Sequence, residues 1–159
     1  MAYTVRRLRP ADLDAAFRLI WDTFLEFEAP DYGPEGVDAF RQSIMENAPF
    51  RDACRSGENR MWGAFEGAAL AGVWGMRGLT HICLVFTHRE HHRKGVATMI
   101  FHRLLEDLRA EAPEVTRLTL NSSPYGLPFY HRIGFVDTAP EQSVDGIRFT
   151  PMAYDLHRA

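Results

Sequence analysis

Hydrophobic residues recur along the chain at two spacings, one typical of helices and the other typical of strands. After Gly95, for example, Val96, Ile100, Leu104 and Leu108 step by four, which predicts the buried face of a helix. The whole pattern predicts helices at 11–25, 37–49, 96–112 and 128–133. It predicts strands at 3–8, 61–65, 69–76, 81–87, 115–121, 135–138 and 147–156. Segments 26–36 and 51–59 are rich in polar residues and chain breakers, which predicts loops.

Two of these strands carry signals about their place in the sheet. Residues 81–87 read His-Ile-Cys-Leu-Val-Phe-Thr, a dense apolar run that predicts a central strand buried on both faces. Pro151 has no backbone N–H, so it predicts an edge position for the last strand. The alternation of strands and helices, without internal repeats, predicts a single α/β domain over residues 1–159.

Composition narrows the class of protein. With 159 residues, 46% of them hydrophobic and 25% charged, the chain has enough apolar material for a core. Its net charge of −3 argues against a nucleic-acid partner. The uncharged stretches 67–76 and 78–87 are about half as long as a membrane-spanning helix. The two cysteines, Cys54 and Cys83, form no disulfide framework and no secretory leader is visible, so we expect a cytoplasmic protein without a membrane partner.

The strongest chemical signal lies in the loop between the fourth strand and the helix that follows. This loop reads His92-Arg93-Lys94-Gly95-Val96-Ala97-Thr98, and it contains the one lysine among 18 basic residues. Small residues let a ligand approach the backbone, and free N–H groups at a helix N-terminus attract anions, as do two cations. The loop therefore predicts a diphosphate site, and a glycine turn surrounded by solvated charges is the alternative. It has the spacing of neither a P-loop nor a dinucleotide-binding motif.

A second motif follows the fifth strand. Asn121 ends that strand, and residues 129–135 read Phe-Tyr-His-Arg-Ile-Gly-Phe. By itself, an aromatic pair beside a capping glycine is more typical of core packing than of catalysis. Taken together, however, the two motifs and the order of elements resemble the GNAT-type N-acetyltransferase family over almost the whole chain. The resemblance implies a mixed, mostly antiparallel sheet that is flanked by helices and splayed between the fourth and fifth strands.

The resemblance also implies a site for acetyl-CoA. Its pantetheine arm would lie along Val85, Phe86 and Thr87 of the fourth strand. Its pyrophosphate would be held by the loop, which comprises His92, Arg93, Lys94, Gly95, Val96, Ala97 and Thr98, and Asn121 and Tyr130 complete the predicted cofactor-binding set. His92 stands where the family has Arg or Gln. If its side chain donates to a phosphate oxygen, CoA should bind less tightly as the pH rises through the ordinary pKa of histidine, about 6.5.

The activity implied is transfer of an acetyl group from acetyl-CoA to an amine of a small molecule or peptide, by direct attack in a ternary complex. The backbone N–H of Val85 would stabilise the charge on the thioester oxygen, and Tyr130 would assist the leaving thiolate. Glu26, Glu28 and Asp31 follow the first helix, where this family shapes its acceptor site, so they are candidate substrate residues for a cationic amine. A solvated acidic loop is the alternative interpretation of these three carboxylates.

Two other classes of protein stay open at this point. A non-catalytic CoA-binding sensor or regulatory module would share the fold, although the presence of Asn121 and Tyr130 favours the enzyme. A metal-dependent enzyme would use the cluster of histidines at His88, His91 and His92. We expect no metal, because such sites need three or four converging ligands and the loop already has a phosphate-binding explanation. Dimers are common in folds of this kind, so a homodimer is also an open prediction.

Overall fold

The backbone is organised around one mostly antiparallel sheet. The computed structural model describes residues 2–157. Its strands are β1 Thr4–Arg7, β2 Met61–Glu66, β3 Ala69–Arg77, β4 His81–Thr87, β5 Arg117–Ser122, β6 Val136–Asp137, β7 Gln142–Val144 and β8 Ile147–Asp155. They pair in the order β1-β2-β3-β4-β5-β8-β6, and β7 also pairs with β8. Among these described pairs, only β4 and β5 run parallel.

Helices cover both faces of the sheet. They are α1 Leu13–Thr23, α2 Gly33–Phe40, α3 Ala48–Ser56, α4 Val96–Glu111 and α5 Leu127–Ile133. The helices α1 to α3 pack with Val73, Leu84 and Phe86 to form one layer of the core. On the opposite face, α4 and α5 pack with residues that include Trp62 and Trp74, both of which are fully buried. The fold therefore has a helix–sheet–helix arrangement with a core on each side of the sheet.

The central feature of the sheet is a split between β4 and β5. These strands pair only at His81 with Thr119 and at Ile82 with Leu120. Beyond Ile82, β4 continues to Thr87 while it is still paired with β3 on its other side. One edge of β4 is therefore left without a partner strand over most of its length. The predicted fold class is confirmed, including the splay between the fourth and fifth strands.

The prediction of a loop at 51–59 is wrong, because α3 extends through most of that segment. The side chain of Asn47 accepts a hydrogen bond of 3.0 Å from the N–H of Phe50, which caps the helix at its N-terminus. Phe50 and Cys54, four residues apart, supply a buried stripe, and Gly57 ends the helix in the left-handed conformation at φ 87°. This short amphipathic stripe is masked in the sequence by the polar residues around it.

The segment 26–36 is also helical rather than a loop. A π-helical turn at Phe24–Glu28 and a 3₁₀ turn at Ala29–Asp31 connect α1 to α2, and a second π-helical turn, Arg41–Met45, follows α2. The rings of Phe24 and Phe40 stack with their centroids 3.8 Å apart. This contact joins residues 16 positions apart and holds the intervening turns against the sheet, which local sequence pattern does not reveal.

Two expectations about strand position also need correction. The strand β4 is central, as predicted, but its residues alternate between buried and half-buried because one face borders open space. The strand that contains Pro151 is not an edge strand, since β8 lies between β5 and the outer strands. The carbonyl of Pro151 accepts a hydrogen bond of 2.8 Å from the N–H of Thr138, on the side of β8 that faces the outer strands. Its ring nitrogen faces the same side. Along β8, Pro151 lies between the residues that pair with β6 and those that pair with β7. No partner there requires an N–H from residue 151.

Candidate active site

Two cavities meet where β4 and β5 diverge. Their volumes are about 840 Å³ and about 820 Å³. Both are lined by Val85 and Phe86 of β4, by Glu28 from the π-helical turn, by Ser123 after β5 and by Tyr130 of α5. The splay therefore creates a single junction at which two separate ligands can come into contact.

The first cavity, which we call the acidic cavity, is lined by carboxylates. These are Glu28, Glu35, Asp38 and Asp145. Among the described residues that line it, none is arginine, lysine or histidine. Much of the remaining wall is aromatic, with Phe24, Tyr32, Phe40 and Phe149. A cation with an apolar body matches this surface.

The second cavity, which we call the basic cavity, has the opposite charge. Its lining includes Arg89, His91, His92, Arg93 and Arg132, whereas Glu28 is the one carboxylate among the described residues that line it. The predicted residues Thr87, Gly95, Val96, Ala97 and Thr98 border the same space. A polyanion fits here, and it would be separated from a cation in the acidic cavity only by the junction.

The backbone of Val85 faces the open side of the split. The N–H of His88 donates to the carbonyl of Ala71 on the β3 side at 2.8 Å, so the bonding groups of residue 88 point toward β3. Hydrogen-bonded and non-bonded pairs alternate along an antiparallel ladder, so residue 86 also bonds toward β3 while Val85 and Thr87 point away from it. The strand β5 has already diverged on that side. The N–H of Val85 is therefore available to a ligand at the junction.

The loop before α4 presents backbone N–H groups in a conformation suited to anions. Arg93 and Gly95 both have positive φ, of 62° and 76°, and no side chain caps the N-terminus of α4. Left-handed residues within such a turn create a concave arrangement of N–H groups, and the first turn of a helix adds unsatisfied donors. A Cβ at Gly95 would meet no atom within 4 Å, so it is the backbone conformation that favours glycine there.

The imidazole of His92 is used to hold the loop to β4. Its Nε2 lies 2.7 Å from the carbonyl oxygen of Thr87, so Nε2 carries the proton and donates it to that oxygen. Its ring also packs against Phe27, with centroids 4.6 Å apart. In the neutral form, the single N–H of His92 is therefore occupied within the protein, and only the imidazolium has a second N–H for a phosphate oxygen.

Tyr130 is fixed in place by the aromatic core. Its ring packs edge-on against Trp74 at 6.4 Å and against Phe135 at 5.8 Å. Burial, with contributions from Glu28 and Tyr32, raises the pKa of Tyr130 well above the usual tyrosine value. The phenol is therefore neutral at any ordinary pH and is suited to donating a hydrogen bond.

Only one of the three predicted acidic substrate residues reaches the cavities. Glu28 lines both, and burial together with the charge of Asp31 raises the pKa of its carboxyl to about 8. Glu26 instead forms an exposed ion pair with Arg89 at 2.8 Å. Asp31 lines neither cavity and acts on Glu28 through its charge.

Two predicted cofactor residues lie apart from the others. Asn121 lines the acidic cavity rather than the basic one. Lys94 is exposed and is not among the residues that line the basic cavity, although Arg93 and Gly95 on either side of it are. The remaining predicted residues of the fourth strand, the loop and α5 are brought together around the basic cavity.

Sequence reasoning missed most of the acidic cavity. Glu35 lies in the first turn of α2, which the prediction began too late, and Asp38 lies within the predicted helix but was not a candidate. Asp145 lies in the turn of the unpredicted β7–β8 hairpin. A signal for that hairpin was present, because Asp145-Gly146 is a dipeptide that favours two-residue hairpin turns. Both residues have positive φ, at 52° and 80°.

The histidines of the loop have individual roles in the structure. Nδ1 of His91 lies 2.8 Å from the hydroxyl of Tyr3, and the side chain of His88 accepts a bond from the N–H of Glu90. Residues 2–157 contain no group of three or more histidine, cysteine or acidic side chains arranged to hold a metal ion. Within the same range, no helix combines the length and the apolar character needed to span a bilayer.

Comparisons with known proteins agree with this geometry. The sequence profile of the acetyltransferase (GNAT) domain matches residues 28–156. The match covers most of the chain, which therefore belongs to the GNAT acetyltransferase family, a family that uses acetyl-CoA. No curated protein sequence gives a significant match.

Solved structures share the fold at low sequence identity. A GCN5-related N-acetyltransferase from Rhodopseudomonas palustris has a TM-score of 0.80 at 22% identity, over 98% of this chain and 96% of that one. The PaiA N-acetyltransferase from Thermoplasma acidophilum, in complex with coenzyme A, has a TM-score of 0.77 at 17% identity, over 98% and 99%. The ribosomal-protein-S18-alanine N-acetyltransferase from Escherichia coli has a TM-score of 0.64 at 16% identity, over 99% and 96%.

Proposed function

We propose that this protein is an N-acetyltransferase that moves an acetyl group from acetyl-CoA to an amine by direct attack in a ternary complex. The observation that carries the proposal is the meeting of two oppositely charged cavities at Val85 and Tyr130. A polyanionic acyl donor matches the basic cavity, and a cationic acceptor matches the acidic cavity. Their reacting groups would then meet at the junction without a covalent acyl-enzyme.

The residues around the basic cavity fit acetyl-CoA, which supplies an activated acetyl group on a thiol leaving group. Arg93, Gly95 and the first N–H groups of α4 would bind the pyrophosphate. The open edge of β4 would hold the amide groups of the pantetheine arm through the backbone of Val85 and Thr87. This assignment orients the arm along the splay, so that it ends at the junction.

At the junction, three groups of this chain would perform the transfer. Glu28 takes a proton from the ammonium form of the acceptor, and its pKa of about 8 suits a base at mildly basic pH. The N–H of Val85 donates to the carbonyl oxygen while the new C–N bond forms, because that oxygen gains negative charge in the transition state. As the C–S bond breaks, the Tyr130 hydroxyl donates a hydrogen bond to the sulfur. A buried phenol is a weaker acid than a thiol, so stabilisation rather than full proton transfer is expected.

A turnover assay tests this proposal. The purified protein is incubated with acetyl-CoA and a panel of primary amines, with free thiol and acetylated product measured by absorbance and mass spectrometry. We expect amine-dependent thiol release with one acetylated product for each thiol. Tight binding of acetyl-CoA with no turnover for any amine would overturn the proposal and support a non-catalytic CoA-binding module.

A further inference from the structure

Three aromatic rings form a continuous row across the split between β4 and β5. The ring of Phe27 packs against the imidazole of His92, with centroids 4.6 Å apart. On its other side it stacks on the ring of Tyr125, with centroids 5.2 Å apart and 26° between the ring planes. His92 belongs to the loop after β4 and Tyr125 to the loop after β5, so the row joins the two sides of the opened sheet. We call these three residues the aromatic bridge.

The aromatic bridge borders the space in which the acyl donor would lie. All three of its residues line the basic cavity. Phe27 comes from the π-helical turn that continues α1, and α1 packs on one face of the sheet. Tyr130, which lines the same cavity, packs with α4 on the opposite face. A ligand in the basic cavity is therefore enclosed by the aromatic bridge on one face and by Tyr130 on the other.

The aromatic bridge is not part of the hydrophobic core. Neither Phe27 nor Tyr125 belongs to the two clusters of apolar residues that the described chain buries, and Tyr125 is 52% exposed. Its stacking on Phe27 is therefore not a consequence of burial in the interior. A half-exposed ring that closes a row over a cavity has its apolar face placed for a ligand in that cavity.

The contacts of the aromatic bridge are weak enough to open. A single aromatic pair shifts an equilibrium by a factor of about two to twelve. A further tie between the π-helical turn and the side of β4 is the exposed ion pair of Glu26 with Arg89 at 2.8 Å, and exposed ion pairs contribute little. The closed arrangement is thus favoured, yet it opens often enough to admit and release a ligand.

We propose that the aromatic bridge closes over the pantetheine arm of the bound acyl donor, and that Phe27 and Tyr125 are donor-binding residues that slow its release. This inference rests on the proposed placement of the arm along β4. The amide groups of the arm would bond to the backbone of β4, which leaves its methyl and methylene groups to contact aromatic rings. A donor that is released slowly keeps its thioester at the junction while an acceptor enters the acidic cavity.

Rates of CoA release test the inference. Stopped-flow measurements give kon and koff for CoA with the wild-type protein and with each variant. We expect koff to rise about tenfold in Phe27→Ala, which removes both ring contacts, and about threefold or more in Tyr125→Ala, which removes one. In both variants kon should not fall, whereas general damage to the site would lower it. Tyr125→Phe restores the ring and should return koff to within about twofold of the wild-type value.

A double variant tests whether the two rings act as one unit. Both contacts pass through Phe27, so Tyr125→Ala added to Phe27→Ala should raise koff no further. Leu25→Ala is the matched control, because Leu25 is an exposed apolar residue of the same π-helical turn that lines neither cavity. Its koff should equal that of the wild-type protein.

A ligand without the arm locates the effect. The nucleotide half of CoA, 3′-phospho-ADP, would occupy the loop before α4 but would not reach beneath the aromatic bridge, so its koff should be the same in wild type and Phe27→Ala. An unchanged koff for CoA in both alanine variants, or an equal rise for CoA and 3′-phospho-ADP, would overturn the inference and leave the acetyltransferase function intact. Failure of the wild-type protein to bind CoA would instead count against the proposed function itself.

Discussion

At the scale of single residues, burial prepares two neighbouring side chains for opposite tasks. It raises the pKa of Glu28 to about 8, and it raises the pKa of Tyr130 above its usual value. The first group is then able to exchange a proton near physiological pH, whereas the second keeps its proton throughout. Both pKa values are raised, which brings Glu28 into the range of a proton acceptor and leaves Tyr130 protonated as a hydrogen-bond donor.

Removal of one oxygen tests the role of Tyr130. We expect Tyr130→Phe to lower kcat more than about tenfold, while the Kd for CoA stays within about twofold, because the hydroxyl would act only on the leaving sulfur. Steady-state kinetics and calorimetric titration measure the two quantities. Tyr154→Phe, which removes a hydroxyl from a core tyrosine outside both cavities, serves as the control. An unaltered kcat would remove Tyr130 from the catalytic set.

Glu28 predicts a specific pH dependence. The carboxyl is protonated below about pH 8 and cannot then act as a base, so kcat/KM should rise with pH through that value. In Glu28→Gln we expect this inflection to disappear, with kcat/KM lowered about 10²-fold or more at pH 8. A variant that keeps both its rate and its inflection would exclude Glu28 as the base.

The same pKa shift also affects stability. Because the folded pKa of Glu28 is raised above the ordinary glutamate value of about 4.5, the native state binds the proton more tightly than the unfolded chain does. The wild-type protein should therefore lose stability as the pH rises from about 4.5 to about 8, and Glu28→Gln should not show this loss. Thermal unfolding of both proteins across that range measures the difference.

At the scale of elements, the sequence was informative wherever the deciding contacts are local. The step of four residues in α4 and the neighbouring strands β2 and β3 depend on residues close in sequence, so all three elements were predicted. The turns between α1 and α2 depend on the stacking of Phe24 on Phe40, and Pro151 is tolerated inside the sheet because of a gap between two outer strands. Neither the aromatic stacking nor the gap between the outer strands can be recognised from a short window of sequence.

Gly36 is the position where an element and the site depend on each other. In Gly36→Ala the new Cβ would lie 2.5 Å from Cβ of Tyr32 and 2.6 Å from the carbonyl oxygen of Gly146, so α2 and the hairpin must separate. We expect a loss of about 1–3 kcal/mol in the free energy of unfolding and a raised KM for the acceptor, with CoA binding retained.

A strained glycine elsewhere separates these two effects. Gly67 has a φ of 60° and open space around it, so Gly67→Ala should lower stability through the backbone alone and leave the acceptor KM unchanged. Chemical denaturation and acceptor kinetics on both variants make the comparison. Equal acceptor KM values in the two alanine variants would show that the α2–hairpin contact does not shape the cavity.

At the scale of the whole molecule, the charge around the basic cavity is opposite in sign to the net charge of the chain. The chain carries a net charge of −3, which would repel a polyanion, yet the lining of the basic cavity combines arginines and histidines with a single carboxylate. Screening limits each exposed charge to a range of about 8 Å at physiological ionic strength, so the cavity rather than the net charge should determine binding. The charge of a chain is therefore a poor guide to the charge of its ligands.

The direction in which added salt changes CoA binding shows whether the basic cavity or the net charge of the chain dominates. If the cavity dominates, added salt weakens CoA binding, whereas a dominant net charge predicts the reverse. We expect weakening, with a smaller salt dependence in Arg93→Ala, because Arg93 lines the cavity. Arg18→Ala changes the net charge by the same amount from an exposed position on α1 and should keep the wild-type dependence. Titrations of CoA at several ionic strengths measure all three proteins.

The two halves of the site also differ in how far the sequence predicted them. The loop 92–98 is contiguous, so its position against β4 and Tyr130 follows from one strand–loop–helix unit and one short motif. The acidic cavity is assembled from the π-helical turn and α2, together with the β7–β8 turn, which lies more than a hundred residues further along the chain. Its charge pattern exists only after folding, and Glu28 alone among its four carboxylates was a candidate from sequence.

The free edge of β4 has a consequence for genetics. A donor that belongs to the backbone is present whatever side chain residue 85 carries, so a scan of substitutions at Val85 should tolerate any residue that packs there. Proline is the exception, since it alone deletes the N–H. If the junction works as proposed, the most important hydrogen-bond donor of the site will therefore be nearly silent in mutational surveys.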